Sequence, residues 1–248
     1  MDLKMFFEEN PVVAIAFSGG VDSSYLLYEA TRHAEKVGAY FIASEFVPAF
    51  ELEDARRMAM ELDVPLTVLR CSLSSRQEIM ENTQQRCYYC KRFLFSSILR
   101  QARQDGFPLL LDGNNADDDT KDRPGMIASQ RLGVRSPLRE CGLDKNTVRL
   151  RSKEAGLFTY DKPAYACLAT RIPTGTPIRS EELSRIERAE NALFSLGFTD
   201  FRIRWFHGSA RIQTTQSQWG RLLEKADQVQ KALSPFFSEI FLDIIERR

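Results

Sequence analysis

The residues best suited to chemistry are Ser18-Gly19-Gly20-Val21-Asp22-Ser23-Ser24. They follow an apolar run and open a stretch with helical spacing. Such a loop suits a phosphate. The glycines allow a tight turn and remove Cβ atoms that would block an anion. Successive backbone N–H groups and the positive end of the helix then face its oxygens. Ser18, Ser23 and Ser24 add hydroxyl donors. Asp22 has the wrong sign for a phosphate, and holding Mg²⁺ on the phosphates is the simplest reason for it. A bare turn with Asp22 as N-cap is the plainer reading, but it leaves the conjunction of these residue types unexplained. No Gly-Lys-Ser/Thr follows, so this is not a Walker A loop.

A second set is sulfur. Cys87 and Cys90 stand one helical turn apart, beside Arg86, Lys91 and Arg92. Both sulfurs can meet one metal or cluster, and the flanking cations favour thiolates. Cys167 is the third candidate, in 162–171. Two thiols fall short of the four ligands usual for structural zinc, whereas three can hold a 4Fe-4S cluster with one iron open. Small core residues are the alternative for Cys87 and Cys90, and the favoured reading for Cys71 and Cys141.

Polar residues elsewhere extend the candidate sites. Asp112, Asn114 and Asp117 follow the carboxyl end of a predicted strand, where open α/β sheets bind ligands. Arg202 and Arg204 alternate with Phe201, Ile203 and Trp205, which puts both guanidiniums on one strand face, fit to clamp a phosphate. A solvated face is the plain alternative; Arg211 is a weaker addition. Glu190 falls on the apolar stripe of Leu183, Ile186 and Leu193. A buried carboxylate needs a partner, either a divalent metal or a salt bridge to Arg202 or Arg204. Arg171 lies four residues after Cys167, where it can neutralise charge. His33 and His207 receive no role.

The elements that must position these groups read as strands alternating with helices. Strands are predicted at 11–17, 37–44, 66–71 and 108–111, with helices at 22–36, 51–62 and 88–104. That alternation implies βαβ units and an α/β fold with an open, doubly wound parallel sheet. Residues 117–124 read as a polar loop and 159–177 as an irregular linker. Beyond it come a helix at 180–196 with Ser180 as N-cap, two strands at 201–206 and 210–214 joined at His207-Gly208-Ser209, a helix at 216–233 and a strand at 240–244. The expected division is 1–168 for the phosphate-binding domain and 169–248 for a small α+β domain that binds substrate or a second copy.

The chain has 248 residues, with 34 Lys plus Arg against 34 Asp plus Glu. Zero net charge argues against a protein whose main task is gripping nucleic acid. Residues 1–10 lack a signal-peptide pattern, and no apolar run of about eighteen residues predicts a membrane span. Five cysteines in such a chain favour reduced thiols and a cytoplasmic setting.

The loop at 18–24 resembles the PP-loop of the ATP pyrophosphatase superfamily, which includes GMP synthetases, NAD synthetases and tRNA thiolation enzymes. Across nearly its whole length the chain resembles the LarE family, through SGGVDSS (18–24), RCYYCKRFLF (86–95), DGNNADD (112–118), SPLRECGL (136–143), KPAYACLATRIPTG (162–175) and FRIRWFHGSARI (201–212). The resemblance implies an ATP-dependent sulfur transferase of nickel-pincer nucleotide cofactor biosynthesis. MgATP, held by Ser18, Gly19, Gly20, Asp22, Ser23, Ser24, Asp112 and Asn114, would adenylylate a carboxylate of pyridinium-3,5-biscarboxylic acid mononucleotide. Sulfur would then displace AMP. The resemblance assigns Arg202 and Arg204 to the substrate phosphate and a functional carboxylate to the helix carrying Glu190. Three cysteines favour the family's 4Fe-4S version, fed by a sulfide donor, over the version that sacrifices the sulfur of Cys167. Symmetric homo-oligomers are also implied. Ala166 and Thr174 depart from the family's usual Pro and Tyr, which leaves local backbone and substrate choice open there. A tRNA thiolation enzyme and a non-catalytic nucleotide sensor are the competing readings.

Overall fold

The computed structural model describes residues 2–118 and 124–246. Chain order begins α1 (Leu3–Glu9), β1 (Val12–Ala16), α2 (Val21–His33), β2 (Lys36–Ala43), α3 (Ala49–Glu61), β3 (Leu66–Arg70), α4 (Gln77–Met80), α5 (Arg86–Gln104) and β4 (Leu109–Leu111). It continues α6 (Pro124–Arg131), α7 (Pro137–Glu140), α8 (Lys145–Glu154), α9 (Ser180–Ser195), β5 (Phe201–Phe206), β6 (Ser209–Thr214), α10 (Trp219–Glu224), α11 (Ala226–Leu233) and β7 (Ile240–Leu242). Two compact units result: Met1–Leu73 with Gln85–Lys162, and Ser74–Gln84 with Pro163–Arg248. They differ from a single cut after residue 168, because 74–84 and 163–168 belong to the second unit.

The first unit holds a parallel sheet in the order β3-β2-β1-β4. Side chains alternate across it as strand geometry requires. Val13 and Ile15 of β1 join Leu26, Leu27 and Ala30 of α2 and Ala55 and Met58 of α3 in one core. Ala14 on the opposite face joins Tyr40, Phe107, and Ile98 and Ala102 of α5. Helices therefore cover both faces, the doubly wound arrangement that the sequence predicts. Strand order reverses between β1 and β4, so their carboxyl ends flank the crevice where such sheets take ligands.

In the second unit β5 and β6 form an antiparallel hairpin, and β7 adds in parallel to β6. The two-residue loop is His207 (φ 49°) and Gly208 (φ 88°), the double positive φ of a hairpin turn that follows strand twist. Ser209 therefore belongs to β6 rather than to the turn. The buried stripe of α9 is Leu183, Ile186, Ala189, Glu190 and Leu193. Its N-cap is Arg179, with Ser180 already helical.

Several boundaries differ from expectation. The helix expected at 216–233 is a 3-10 turn at Gln216–Gln218, then α10 and α11 meeting at Lys225. Lys36 begins β2 instead of ending α2. Helices α1, α4, α6, α7 and α8 are not foreseen by the sequence pattern. α8 is mostly polar, with only Val148 and Ser152 buried, so apolar periodicity is too thin to announce it; Asp144 starts it by accepting from the Thr147 N–H at 2.7 Å. Of the polar stretch 117–124, residues 119–123 lie outside the described residues.

Asn82 ties the early segment of the second unit to the late one. Fully buried at φ 56°, its side-chain amide donates to Pro173 O and Thr176 O, each at 2.8 Å. Its own carbonyl accepts from Gly175 N at 2.8 Å. Asn82→Ala removes both part-buried hydrogen bonds and keeps the left-handed backbone, so we expect a loss of about 3 kcal/mol in chemical denaturation.

Candidate active site

The loop after β1 takes its shape from a few backbone constraints. Phe17 N donates to Tyr40 O at 2.8 Å, which extends the sheet by one residue. Gly19 then turns at φ 70°, and Gly20 caps α2 with extended backbone. A Cβ on Gly19 would lie 3.1 Å from both Ala55 N and Glu51 O, so the turn lies close against α3. A Cβ on Gly113, after β4, would sit 2.9 Å from Ser23 N. Only glycine admits that approach. Ser18 Oγ lies 3.0 Å from Ser23 Oγ, and Ser23 Oγ donates to Gly20 O at 3.2 Å.

These segments wall a cavity of about 360 Å³. Ser18, Gly20, Asp22, Ser23, Asp112 and Asn114 all line it, while Tyr40, Ile42 and Phe95 add an apolar wall. Ser24 does not line it. One residue beyond Ser23, its side chain is carried further round α2, where it is fully buried and makes no hydrogen bond. The structure thus corrects the expectation that all three serines offer hydroxyls to a ligand.

Sequence reasoning missed the lysines. Lys145 Nζ lies 2.5 Å from Asp22 Oδ2, while Asn115 Nδ2 donates to Asp22 Oδ1 at 3.1 Å. Lys91 Nζ stands 3.7 Å from Asp112 Oδ2. Lys162 Nζ bonds Asp54 Oδ2 at 2.6 Å and Gly19 O at 3.2 Å. Position within quoted motifs could have flagged Lys91 and Lys162; nothing in local pattern singles out Lys145. Asp112 is further held by Ser136 Oγ at 2.6 Å and Asn114 Nδ2 at 2.6 Å. Asp117 Oδ2 accepts from Lys145 N at 2.9 Å, which fixes the start of α8.

Cys87 and Cys90 fall in the first turns of α5, Cys87 exposed and Cys90 half-buried, neither in a disulfide. Arg86 Nη2 lies 3.6 Å from Cys87 Sγ. Among the described residues no group of three or more His, Cys, Asp or Glu side chains is arranged to hold a metal ion.

In the second unit, half-buried Cys167 precedes a 3-10 turn at Leu168–Arg171, and its carbonyl accepts from Thr170 N and Oγ1 at 2.9 Å each. Arg171 is wholly buried. Its Nη1 donates to Ala166 O at 2.6 Å, gripping the residue before Cys167. Its Nε and Nη2 meet Glu190 at 2.9 and 3.1 Å. Glu190 also accepts from Ile203 N at 2.8 Å and from the Tyr165 hydroxyl. Glu190's salt-bridge partner is therefore Arg171, not Arg202 or Arg204, and four donors already occupy its two oxygens.

Arg202 and Arg204 project from the same face of β5. Arg202 Nε is buried without a hydrogen-bond partner. Arg204 stands directly opposite Arg211 in the hairpin register, a pairing of like charges that is unfavourable by itself. Burial first, and then neighbouring guanidiniums, lower the pKa of both Arg202 and Arg204. Arg171, Arg204 and Arg211 line a small cavity of about 170 Å³ with Trp205, Thr170 and Gln213. Cys167 lies within electrostatic reach of Arg171 and Arg202. So crowded a cationic set suits an anionic ligand.

Glu190→Gln would leave the Arg171 charge buried without its counter-charge. Breaking a buried pair in this way costs about 3–5 kcal/mol, readable as a lower midpoint in urea unfolding.

The asparagine synthase family pattern matches residues 4–118, the loop and strands β1 to β4 included. An uncharacterised protein of Synechocystis sp. is 35% identical over 219 residues, which cover 88% of this chain and 81% of that one. The pyridinium-3,5-bisthiocarboxylic acid mononucleotide synthase of Lactiplantibacillus plantarum is 32% identical over 235 residues, 94% of this chain and 85% of that enzyme. A tRNA-specific 2-thiouridylase of Clostridium botulinum shares 27% identity over 184 residues, 60% of this chain and 52% of its own length. With a phosphate loop at the strand-order reversal and likeness to the synthase along almost the full chain, this protein belongs to the LarE family of PP-loop, ATP-dependent sulfurtransferases.

Proposed function

We propose that the chain uses MgATP to adenylylate a carboxylate of pyridinium-3,5-biscarboxylic acid mononucleotide and converts it to a thiocarboxylate. The observation that carries this reading is the glycine-walled cavity at the carboxyl ends of β1 and β4. There the first N–H groups of α2, with Ser18 and Ser23, would bind the β- and γ-phosphates, and Asp22 would hold their Mg²⁺, which would supply neutralising charge. The substrate carboxylate oxygen attacks the α-phosphorus. The bond to the bridging oxygen breaks, and pyrophosphate leaves with the electron pair. Sulfur then attacks the acyl carbon, and AMP departs. Arg202 and Arg204 hold the mononucleotide's phosphate, consistent with the orphaned Arg202 Nε.

Sulfur delivery rests on Cys87, Cys90 and Cys167. Cys87 and Cys90, one turn apart on α5, would supply two ligands to a 4Fe-4S cluster, and the cluster reading requires Cys167 as the third. Such a cluster, when bound, presents an open iron to sulfide from an external donor. Arg171 and Glu190 orient the Cys167 turn in either version of the chemistry. A homo-oligomer in the cytoplasm completes the reading; among the described residues no helix is long and apolar enough to cross a membrane.

The similarity to a 2-thiouridylase keeps tRNA thiolation as a second reading, which requires binding of bulk tRNA at low salt. Anaerobic incubation with MgATP, the biscarboxylated mononucleotide and sulfide, followed by mass spectrometry, separates the possibilities. We expect AMP, thiocarboxylate product beyond one sulfur per chain, and unchanged protein mass. Product matched by a loss of about 34 Da at Cys167 would instead mean that the cysteine is consumed. No AMP and no product would remove the substrate assignment.

A further inference from the structure

The loop after β1 needs glycine twice, and that need creates a difficulty. Gly19 turns at φ 70° tight against α3, and Gly20 caps α2. Two glycines in a row leave the peptide between them with little steric preference, so it is free to turn over. Its orientation matters. In a trans peptide the C=O and N–H point to opposite sides, so one face offers an anion a donor and the other an acceptor that repels it.

Lys162 holds that peptide. Its Nζ donates to Gly19 O at 3.2 Å and to Asp54 Oδ2 at 2.6 Å. The ammonium also lies 5.4 Å from the centroid of the Phe50 ring, so Phe50 and Asp54, one turn apart on α3, form its seat. Arg149 of α8 fixes the main chain behind it, donating to Tyr160 O at 2.8 Å and to Lys162 O at 2.9 Å. Gly20 is among the residues that wall the nucleotide cavity, and Lys162 is not. With the Gly19 carbonyl held, the Gly20 N–H points the other way, where it meets Ser18 Oγ at 3.4 Å. That bond is long for an N–H···O pair, so a phosphate oxygen can replace it.

We propose that Lys162 is a positioning residue of the phosphate loop. It locks the Gly19–Gly20 peptide with the carbonyl turned away from the cavity and so commits the Gly20 N–H to the β- and γ-phosphates. This rests on the PP-loop reading of the cavity. The lysine acts through one carbonyl and needs no contact with phosphate. It supplies the orientation that two glycines, required for space, cannot supply themselves.

The test uses the full-length chain, with pyrophosphate and AMP binding in the presence of Mg²⁺ read by calorimetry and the peptide itself read by solid-state NMR. Gly19–Gly20 is the only pair of consecutive glycines in the chain. Glycine labelled with ¹³C at the carboxyl carbon and with ¹⁵N therefore gives a single directly bonded ¹³C–¹⁵N peptide signal. Lys162→Met should move the Gly19 carbonyl signal upfield, as loss of a charged donor does, and weaken pyrophosphate binding about tenfold. AMP affinity should change less than about twofold, because AMP lacks the β- and γ-phosphates. Lys162→Arg keeps a charged donor, and should restore the signal and bring pyrophosphate affinity to within about threefold of wild type. Asp54→Asn removes the ion pair but leaves the carbonyl bond, so it too should stay within about threefold; it carries the test if Lys162→Met does not fold. The proposal is overturned if the Gly19 signal does not move in Lys162→Met, if pyrophosphate affinity stays at the wild-type value, if AMP is lost in parallel, or if Asp54→Asn weakens pyrophosphate about tenfold. Wild-type protein that binds neither ATP nor pyrophosphate would overturn the PP-loop reading itself, a failure visible before any variant is made.

Discussion

Parallel strands β1 and β4 run side by side, and whatever follows each must share the space at their carboxyl ends. Backbone meets backbone there: Gly113 lies against Ser23, and Gly19 against Glu51 and Ala55 in the first two turns of α3. A methyl group at Gly113 would drive the strand ends apart, and at Gly19 the positive φ adds strain to a tight fit. Once the segments close, the N–H groups that begin α2 cannot all be satisfied within the helix. They are left facing the cavity that Gly20, Asp22 and Ser23 help to line. Side chains such as Asp112 and Asn114 then brace the rim through short hydrogen bonds.

The second unit answers the opposite difficulty. It buries a guanidinium completely and keeps three more close by. Arg171 is tolerable inside because Glu190 meets it with two oxygens and the Ala166 carbonyl accepts a further hydrogen bond from it. The same bonds fix the backbone on both sides of Cys167. Stability and placement of the sulfur thus depend on one set of contacts. Arg202, Arg204 and Arg211 have less compensation, with the Arg211–Asp243 pair at 3.4 Å the exception. Their mutual repulsion is the reason to look for a ligand there.

Where sequence was legible, it was so for local reasons. The apolar runs of β1 and β2, the helical spacing of α2 and α3, and the glycine-rich turn between β1 and α2 are short-range patterns, and they suffice for the architecture. The alternation of Arg202 and Arg204 on β5 is equally local. What escaped depends on distance. Lys145 and Lys162 reach the loop from far along the chain, and a polar helix such as α8 is stabilised by its cap and tertiary contacts rather than by an apolar stripe. Glu190 on an apolar stripe announced a buried partner, but Arg171 could be chosen over Arg202 and Arg204 only in three dimensions. Ser24 failed in a subtler way, since motif membership says nothing about which side of a helix a hydroxyl leaves from.

The eleven residues 74–84 belong to the second unit although the first unit's chain continues on either side of them. Asn82 finds its carbonyl partners at Pro173 and Thr176, about ninety positions later. During synthesis at roughly 5–20 residues per second, Asn82 waits on the order of 5–20 s for those partners to be made. The second unit is thus discontinuous in sequence, with one part lying between two stretches of the first.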